Sequence, residues 1–288
     1  MDNPLYDYSA IVDRPYRPLP HGARVAVWVG VNVEYYAFGV PALSLVRDVP
    51  FSPPDSLNYG WREYGSRVGI FRLADRLAQI GVRGTAIINS EVVRRHPSAV
   101  RLLKDADWGW VAHGRNNSTL QRDMNPDVER AYLAAVTNEL EAGLGQRPRG
   151  WLGPARVSTL ATNDLLAELG YDYALDWSND DQVTPFLVKT GRLVSIPYSV
   201  EINDIVAFVL HGHTGPQFQT AIIDHFTELY EQADKWPSIL GLSIHPFLSG
   251  QPSKLRYLID ALSEIAAHRD IWMTTSDEIA DWYYGEAS

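Results

Sequence analysis

Residues 24–31 (RVAVWVGV) are apolar almost without a break. A strand with one face in water alternates apolar and polar residues. An unbroken run therefore asks for cover on both faces, as in a parallel sheet flanked by helices. The chain supplies those helices at regular intervals. Val68, Phe71, Leu73, Leu77 and Ile80 fall at helical spacing, and Gly81 stands where a C-cap is needed. Over 125–144, Asn125 caps a long amphipathic helix, Pro126 takes its first position and Gly145 ends it. Further strands are expected at 83–88, 108–112, 150–154, 171–177, 193–197, 239–244 and 271–274, and further helices over 98–106, 163–169, 216–232, 254–268 and 276–284.

Strand and helix alternate over residues 23–288 with no internal repeat and no linker. That pattern predicts a single parallel α/β domain, a (β/α) barrel or distorted barrel, with a doubly wound sheet as the competing arrangement. Residues 1–22, carrying Pro15, Pro18 and Pro20, are expected to form an extended arm lying on its own domain or on a neighbouring subunit. Residues 37–64 carry Pro41, Pro50, Pro53 and Pro54 and read as a long irregular loop, of the kind that serves a site or an interface. No Gly-rich phosphate loop follows the first strand, so nucleotide binding has no support.

Composition removes several classes of partner. The formal charge of −10, without any Lys/Arg cluster, argues against a nucleic-acid surface. With no Cys, disulfides, thiolate nucleophiles and Cys-ligated zinc drop out together. No apolar run approaches the length of a membrane span, and the first residues have neither the basic head nor the apolar core of a signal peptide. The expectation is a cytoplasmic protein with a small-molecule substrate and no membrane partner.

Three strands end on residues able to bind a metal or move a proton: Glu34, His113 and His245. In a parallel barrel all strand C-termini open on one face, where a site would sit. His113 closes the apolar run 108–112, and Gly114 then turns the chain into Arg115, Asn116, Asn117 and Ser118. A core histidine with satisfied nitrogens is the competing account of His113. A carboxylate with imidazoles suits zinc or a similar divalent ion, and Asn117 could add an oxygen or orient a substrate. Arg115 and Arg156 could hold a carboxylate or an oxyanion, against the plainer role of structural salt-bridge partners. Asp180, Asp181, Glu201 and Asp204 form a second polar group on later strand exits, most simply a solvated surface. The pair His211-Gly-His213 sits before a helix and reads as a loop, and no G-x-S-x-G elbow supports a serine hydrolase.

Six strings over residues 24–284 resemble the polysaccharide deacetylase (NodB-homology) superfamily: Tyr64-Gly-Ser-Arg-Val-Gly69, Val111-Ala-His-Gly-Arg115, Gly150-Trp-Leu-Gly-Pro154, Leu175-Asp-Trp177, Ile196-Pro-Tyr-Ser-Val-Glu-Ile-Asn-Asp204 and Ile244-His-Pro246. The resemblance is greatest to the branch with cofactor-independent allantoinases and cyclic imide hydrolases. It implies the family's distorted (β/α) barrel, hydrolysis of an amide-type C–N bond, and a homo-oligomer, tetramer or dimer. His245 would be the general acid. The chain departs from the pattern at three places. The first motif normally has two acidic residues, whereas here Glu34 has only Asn32 or Tyr35 beside it. The H-x-x-x-H motif is His113-x-x-x-Asn117, and the third motif has Trp151 and Leu152 in place of an arginine.

The expected catalytic residues are thus Glu34, His113 and His245. Arg115, Asn117, Trp151, Trp177 and Glu201 are expected to contact the substrate. Glu34, His113 and Asn117 are expected to ligate one divalent metal, zinc by preference, with metal-free catalysis as the alternative. The function expected is hydrolysis of a C–N bond in a small cyclic amide, imide or ureide. N-deacetylation of an amino sugar or polysaccharide, and non-catalytic ligand binding, are the competing functions.

Overall fold

The computed structural model describes residues 3–42 and 52–285. Within them lies one sheet of nine strands: β1 (Val25–Val33), β2 (Gly84–Ile88), β3 (Gly109–Ala112), β4 (Gly150–Trp151), β5 (Tyr173–Ala174), β6 (Thr184–Pro185), β7 (Val194–Ser195), β8 (Ser238–Ile244) and β9 (Ile271–Thr274). The long apolar strand β1 is its axis. Along Val25–Val31 one edge of β1 pairs in parallel with β8. Its other edge is shared, β9 taking Val25–Trp28 and β2 taking Val29–Val33. From β2 the sheet runs through β3, β4, β5 and β7 in parallel, and β6 adds an antiparallel edge.

No regular strand joins β7 to β8. Irregular backbone closes the gap: Ile239 N–H bonds Asp181 O (2.8 Å), Ser199 N–H bonds Gly241 O (3.0 Å), and Asn203 bridges to Ser243. The result is the distorted barrel expected, rather than a doubly wound sheet.

The helices are α1 (Ser56–Tyr64), α2 (Ile70–Gln79), α3 (Ser90–Arg95), α4 (Pro97–Asp105), α5 (Pro126–Leu144), α6 (Thr162–Glu168), α7 (Gly215–Gln232), α8 (Pro252–Ala266) and α9 (Ser276–Tyr284). On α5 the Asn125 side chain accepts from Val128 N–H, and Gly145 closes the helix at φ +77°, as its sequence signals imply. Strand alternation then sorts the core. Val25, Val27, Val29, Val31 and Val33 face the helices with Leu240, Leu242, Ile244 and Ala112. Ala26 and Trp28 face the barrel interior with Ile87, Val111, Val194, Ile196 and Tyr198. The same two-residue period carries Asn32 and Glu34, His113, and Ser243 and His245 to the interior at the strand ends.

Two segments differ from expectation. α1 occupies the end of the stretch read as irregular loop; Pro50 in that stretch lies outside the described residues. The helix expected around Val68–Ile80 is preceded by a wide π-helical turn, Gly65–Gly69, which takes in Val68 and joins α1 to α2. Close approach explains the glycines. A Cβ on Gly69 would stand 2.0 Å from Pro246 O, and one on Gly65 2.7 Å from Phe247 N. The turn thus rests directly on the backbone after His245. The arm packs on its own domain: Leu5 O accepts from Leu187 N–H (2.8 Å), Arg14 pairs with Asp180 (2.5 Å), and Leu19 joins the interior core. Among the described residues, no helix is long and apolar enough to cross a membrane.

Replacing Gly69 with Ala forces backbone apart at this contact. Gly69→Ala is expected to lower unfolding free energy by about 1–3 kcal/mol in urea titration. An unchanged midpoint would show that the contact is loose.

Candidate active site

Glu34, His113 and His245 meet at one end of the barrel, lining a cavity of about 460 Å³. Glu34 Oε1 stands 3.4 Å from His113 Nε2 and 3.7 Å from His245 Nε2, and the Glu34 side chain is 5% exposed. Both rings are held from behind. His113 Nδ1 lies 2.7 Å from Leu152 O; a carbonyl only accepts, so Nδ1 bears a proton, and the ring is turned with Nε2 facing Glu34. His245 Nδ1 lies 2.7 Å from Asp204 Oδ1, while Asp204 Oδ2 accepts from His245 N–H (2.8 Å) and Ser249 Oγ (2.6 Å).

Charge follows from this packing. Burial alone would push the Glu34 carboxyl up, but the charge of His245 and the bond and charge of His113 outweigh it and hold it below the usual carboxylate range. Burial would push His245 down, but Asp204 and Glu34 together hold its imidazole above its ordinary value. The arrangement keeps Glu34 ionised while His245 holds a proton, which is a base and an acid side by side.

A chain of amides fixes what faces Glu34. Asn89 Oδ1 accepts from Tyr35 N–H (2.8 Å), and Asn89 Nδ2 donates to His113 O and to Asn117 Oδ1 (3.0 Å). Backbone groups on both sides thus set the orientation of Asn89, and Asn89 sets that of Asn117. Asn117 then points its Nδ2 at Glu34 Oε1 (2.5 Å). Tyr36 donates to Glu34 Oε2 (2.7 Å), and Arg62 stacks over the Tyr36 ring at 4.6 Å.

This donor set does not fit the expected metal. Asn117 offers the carboxylate a hydrogen-bond donor and spends its oxygen on Asn89, so the proposed third ligand is turned the wrong way. Both Glu34 oxygens already accept hydrogen bonds. Among the described residues, no group of three His, Cys, Asp or Glu side chains is placed to hold a metal ion.

The other residues singled out by sequence scatter. Asn117 lines the cavity. Arg115 lies outside it, exposed and paired with Glu139 (2.7 Å). Trp151 is fully buried in the helix-side core against Tyr171, because its strand position points away from the interior. Trp177 packs edge-on against Tyr6 of the arm, 5.6 Å between centroids. Glu201 is exposed and lines a separate cavity with Asp180, Asp181 and His225. Of the acidic group, Asp204 alone contacts the trio. Arg156 does line the cavity, stacked 4.7 Å over Tyr198 and bonded to Ser178 Oγ and to Tyr198 O (3.1 Å). Tyr36, Asn89, Tyr198 and Ser243 were not singled out. Strand alternation counted back from His245 would have found Ser243, and counted on from Val194 and Ile196 would have found Tyr198.

An acid and a base side by side on the strand ends of this barrel can activate a water and protonate a leaving group, the two parts of a hydrolysis. No protein-family model matches the chain. A Schizosaccharomyces pombe protein assigned to the polysaccharide deacetylases is 25% identical over 237 residues, 76% of this chain and 73% of that protein. A peptidoglycan deacetylase of Helicobacter pylori is 22% identical over 261 residues, 79% of this chain and 87% of the other. Among solved structures, a probable polysaccharide deacetylase from Pseudomonas aeruginosa superposes with TM-score 0.86 at 25% identity, over 95% of this chain and 96% of the other. The Puue allantoinase shares the fold at TM-score 0.85 and 24% identity, over 97% and 98%. The chain is thus similar in sequence to polysaccharide deacetylases and shares their fold.

Restoring the second imidazole tests the account of Asn117. Asn117→His places a lone pair where an N–H now points, and zinc affinity by calorimetry should rise about 10–100-fold over the parent. Equal affinity in both proteins would mean that Asn117 does not decide metal binding.

Proposed function

We propose that this chain hydrolyses a C–N bond in a small cyclic amide, imide or ureide without routing any step through a metal. The observation that carries this is the ionised Glu34 carboxylate seated between two imidazoles, His245 being charged by Asp204. A water beside Glu34 gives it a proton while its oxygen adds to the substrate carbonyl carbon. His113 Nε2, held facing Glu34, orients that water. The tetrahedral adduct collapses as the C–N bond breaks, and His245 Nε2–H protonates the departing nitrogen. A cavity of about 460 Å³ suits a small ring closed around its reactive amide. N-deacetylation of an amino sugar is the second reading, favoured by the names of the two curated relatives, and it uses the same acid and base.

Purified protein tested on hydantoins, imides, allantoin and N-acetyl sugars separates these readings. Turnover of cyclic substrates supports the first, and acetate release the second. Binding without turnover of any of them would sink both. On the active substrate, Glu34→Gln and His245→Asn should each lower kcat about 10²–10⁴-fold.

The pH profile has a fixed sense. Activity needs Glu34 without its proton, so it falls as pH drops through that lowered pKa. It needs His245 with its proton, so it falls again as pH rises through that raised pKa. Asp204→Asn removes charge beside His245 and should move the alkaline limb to lower pH. The raised His245 value also stabilises the fold below the ordinary imidazole pKa, a contribution lost as pH rises through the folded value. An alkaline limb that stays in place in Asp204→Asn would remove His245 from the role of acid.

A further inference from the structure

If Glu34 delivers water and His245 frees the leaving nitrogen, something must receive the negative charge that builds on the carbonyl oxygen. We propose that the Tyr198 hydroxyl is that group, the hydrogen-bond donor that polarises the substrate carbonyl and holds its oxyanion. This rests on the hydrolase reading above and adds a catalytic residue to it.

A phenol has one proton to give and two lone pairs to receive. Both lone pairs of Tyr198 are used. Asn32 Nδ2 donates to Tyr198 Oη (2.8 Å) and also to Ile244 O (3.1 Å), a carbonyl that can only accept and therefore fixes the amide nitrogen on that side. Ser243 Oγ donates to the same Oη (2.7 Å). Among the described residues the Tyr198 proton then has no acceptor, although the residue is 1% exposed and lines the cavity. A buried O–H without an acceptor is costly, so such a proton has a reason to face a ligand.

The ring is held for this use. It stacks on Trp28 at 5.2 Å and 27°, under the Arg156 guanidinium. Gly30 makes the space, since a Cβ there would lie 2.7 Å from Tyr198 Cε2. Burial pushes the phenol up to about 12, so it keeps its proton at neutral pH. Two accepted hydrogen bonds strengthen it as a donor, and the Arg156 cation favours charge gathering on Oη.

Spacing along the strands agrees. Asn32 lies two residues before Glu34 on β1, and Ser243 two residues before His245 on β8. Two residues of strand advance about 7 Å on the same face. The Tyr198 hydroxyl is therefore one step deeper than the acid and base, which leaves room for a water and a carbonyl between them. A side-chain donor built into the wall would do here what a Lewis acid does at a metal site.

The test compares Tyr198→Phe with the parent on the substrate found in the panel. Phenylalanine keeps the stack on Trp28 and removes only the O–H. We expect kcat to fall about 10²–10³-fold with KM within a few-fold, and binding of a tetrahedral oxyanion mimic to weaken far more than binding of product. An active parent with kcat retained within about threefold in Tyr198→Phe would overturn the role of Tyr198 and leave the hydrolase reading standing. A parent inactive on the whole panel would overturn both. Should Tyr198→Phe fail to fold, 3-fluorotyrosine at position 198 keeps the shape and makes the phenol more acidic. A kcat that responds to this change supports the donor role, and a kcat indifferent to it refutes the role.

Discussion

A buried carboxylate is the constraint on which this site is built. Glu34 follows the C-terminal end of an apolar strand with almost no water to solvate it, and such a charge is costly unless it is balanced on the spot. The balance comes from everything nearby. His245 supplies positive charge, and Asp204 keeps it charged. Tyr36 and Asn117 supply hydrogen bonds, and His113 is locked by Leu152 with its Nε2 towards the carboxylate. Removing any member leaves another buried polar group unpaired, so the trio is as much a structural unit as a reactive one. The loop carrying His245 is in turn pressed against the glycine turn 65–69, which links the geometry of the acid to the packing of α1 and α2.

Much of this was legible in the chain itself. The unbroken run before Glu34, the capped helices and the alternation of elements pointed to a parallel α/β domain, a barrel ahead of a doubly wound sheet. The strand-end rule placed Glu34, His113 and His245 together. Strand alternation also decides where Trp151 and Tyr198 point. Trp151 is next to Gly150 on a two-residue strand, and its position in the alternation sends it into the helix-side core. Tyr198 follows Val194 and Ile196 at the interior spacing, yet an aromatic after a short strand looks like ordinary core. Arg115 and Arg156 were indistinguishable as sequence. Only the fold shows that one finds Glu139 at the surface and the other a tyrosine ring in the cavity.

Other features were beyond any pattern in the sequence. The orientation of Asn117 depends on Asn89, a residue 28 positions earlier, which is itself fixed by backbone groups of two further segments. Position 117 read as a weakened metal ligand because its side chain contains an oxygen. In the fold that oxygen is committed to Asn89, and the nitrogen serves Glu34. The segment from Ser199 to Asn203 likewise carries no strand signal, because it closes the barrel with scattered hydrogen bonds rather than a ladder.

That irregular closure has a consequence for how the pocket can be varied. A regular strand shows only every second side chain to the interior, so each strand offers a site few positions, and a shift of register moves them all. The closing segment is free of that rule. Asn203 and Ile205 line the cavity while Asp204 between them braces His245, so three neighbours in sequence all serve one site. Here the barrel wall can carry a dense set of contacts and exchange them one at a time. New ligand shapes could be accommodated on this side while the acid and base, anchored on β1 and β8, stay where they are.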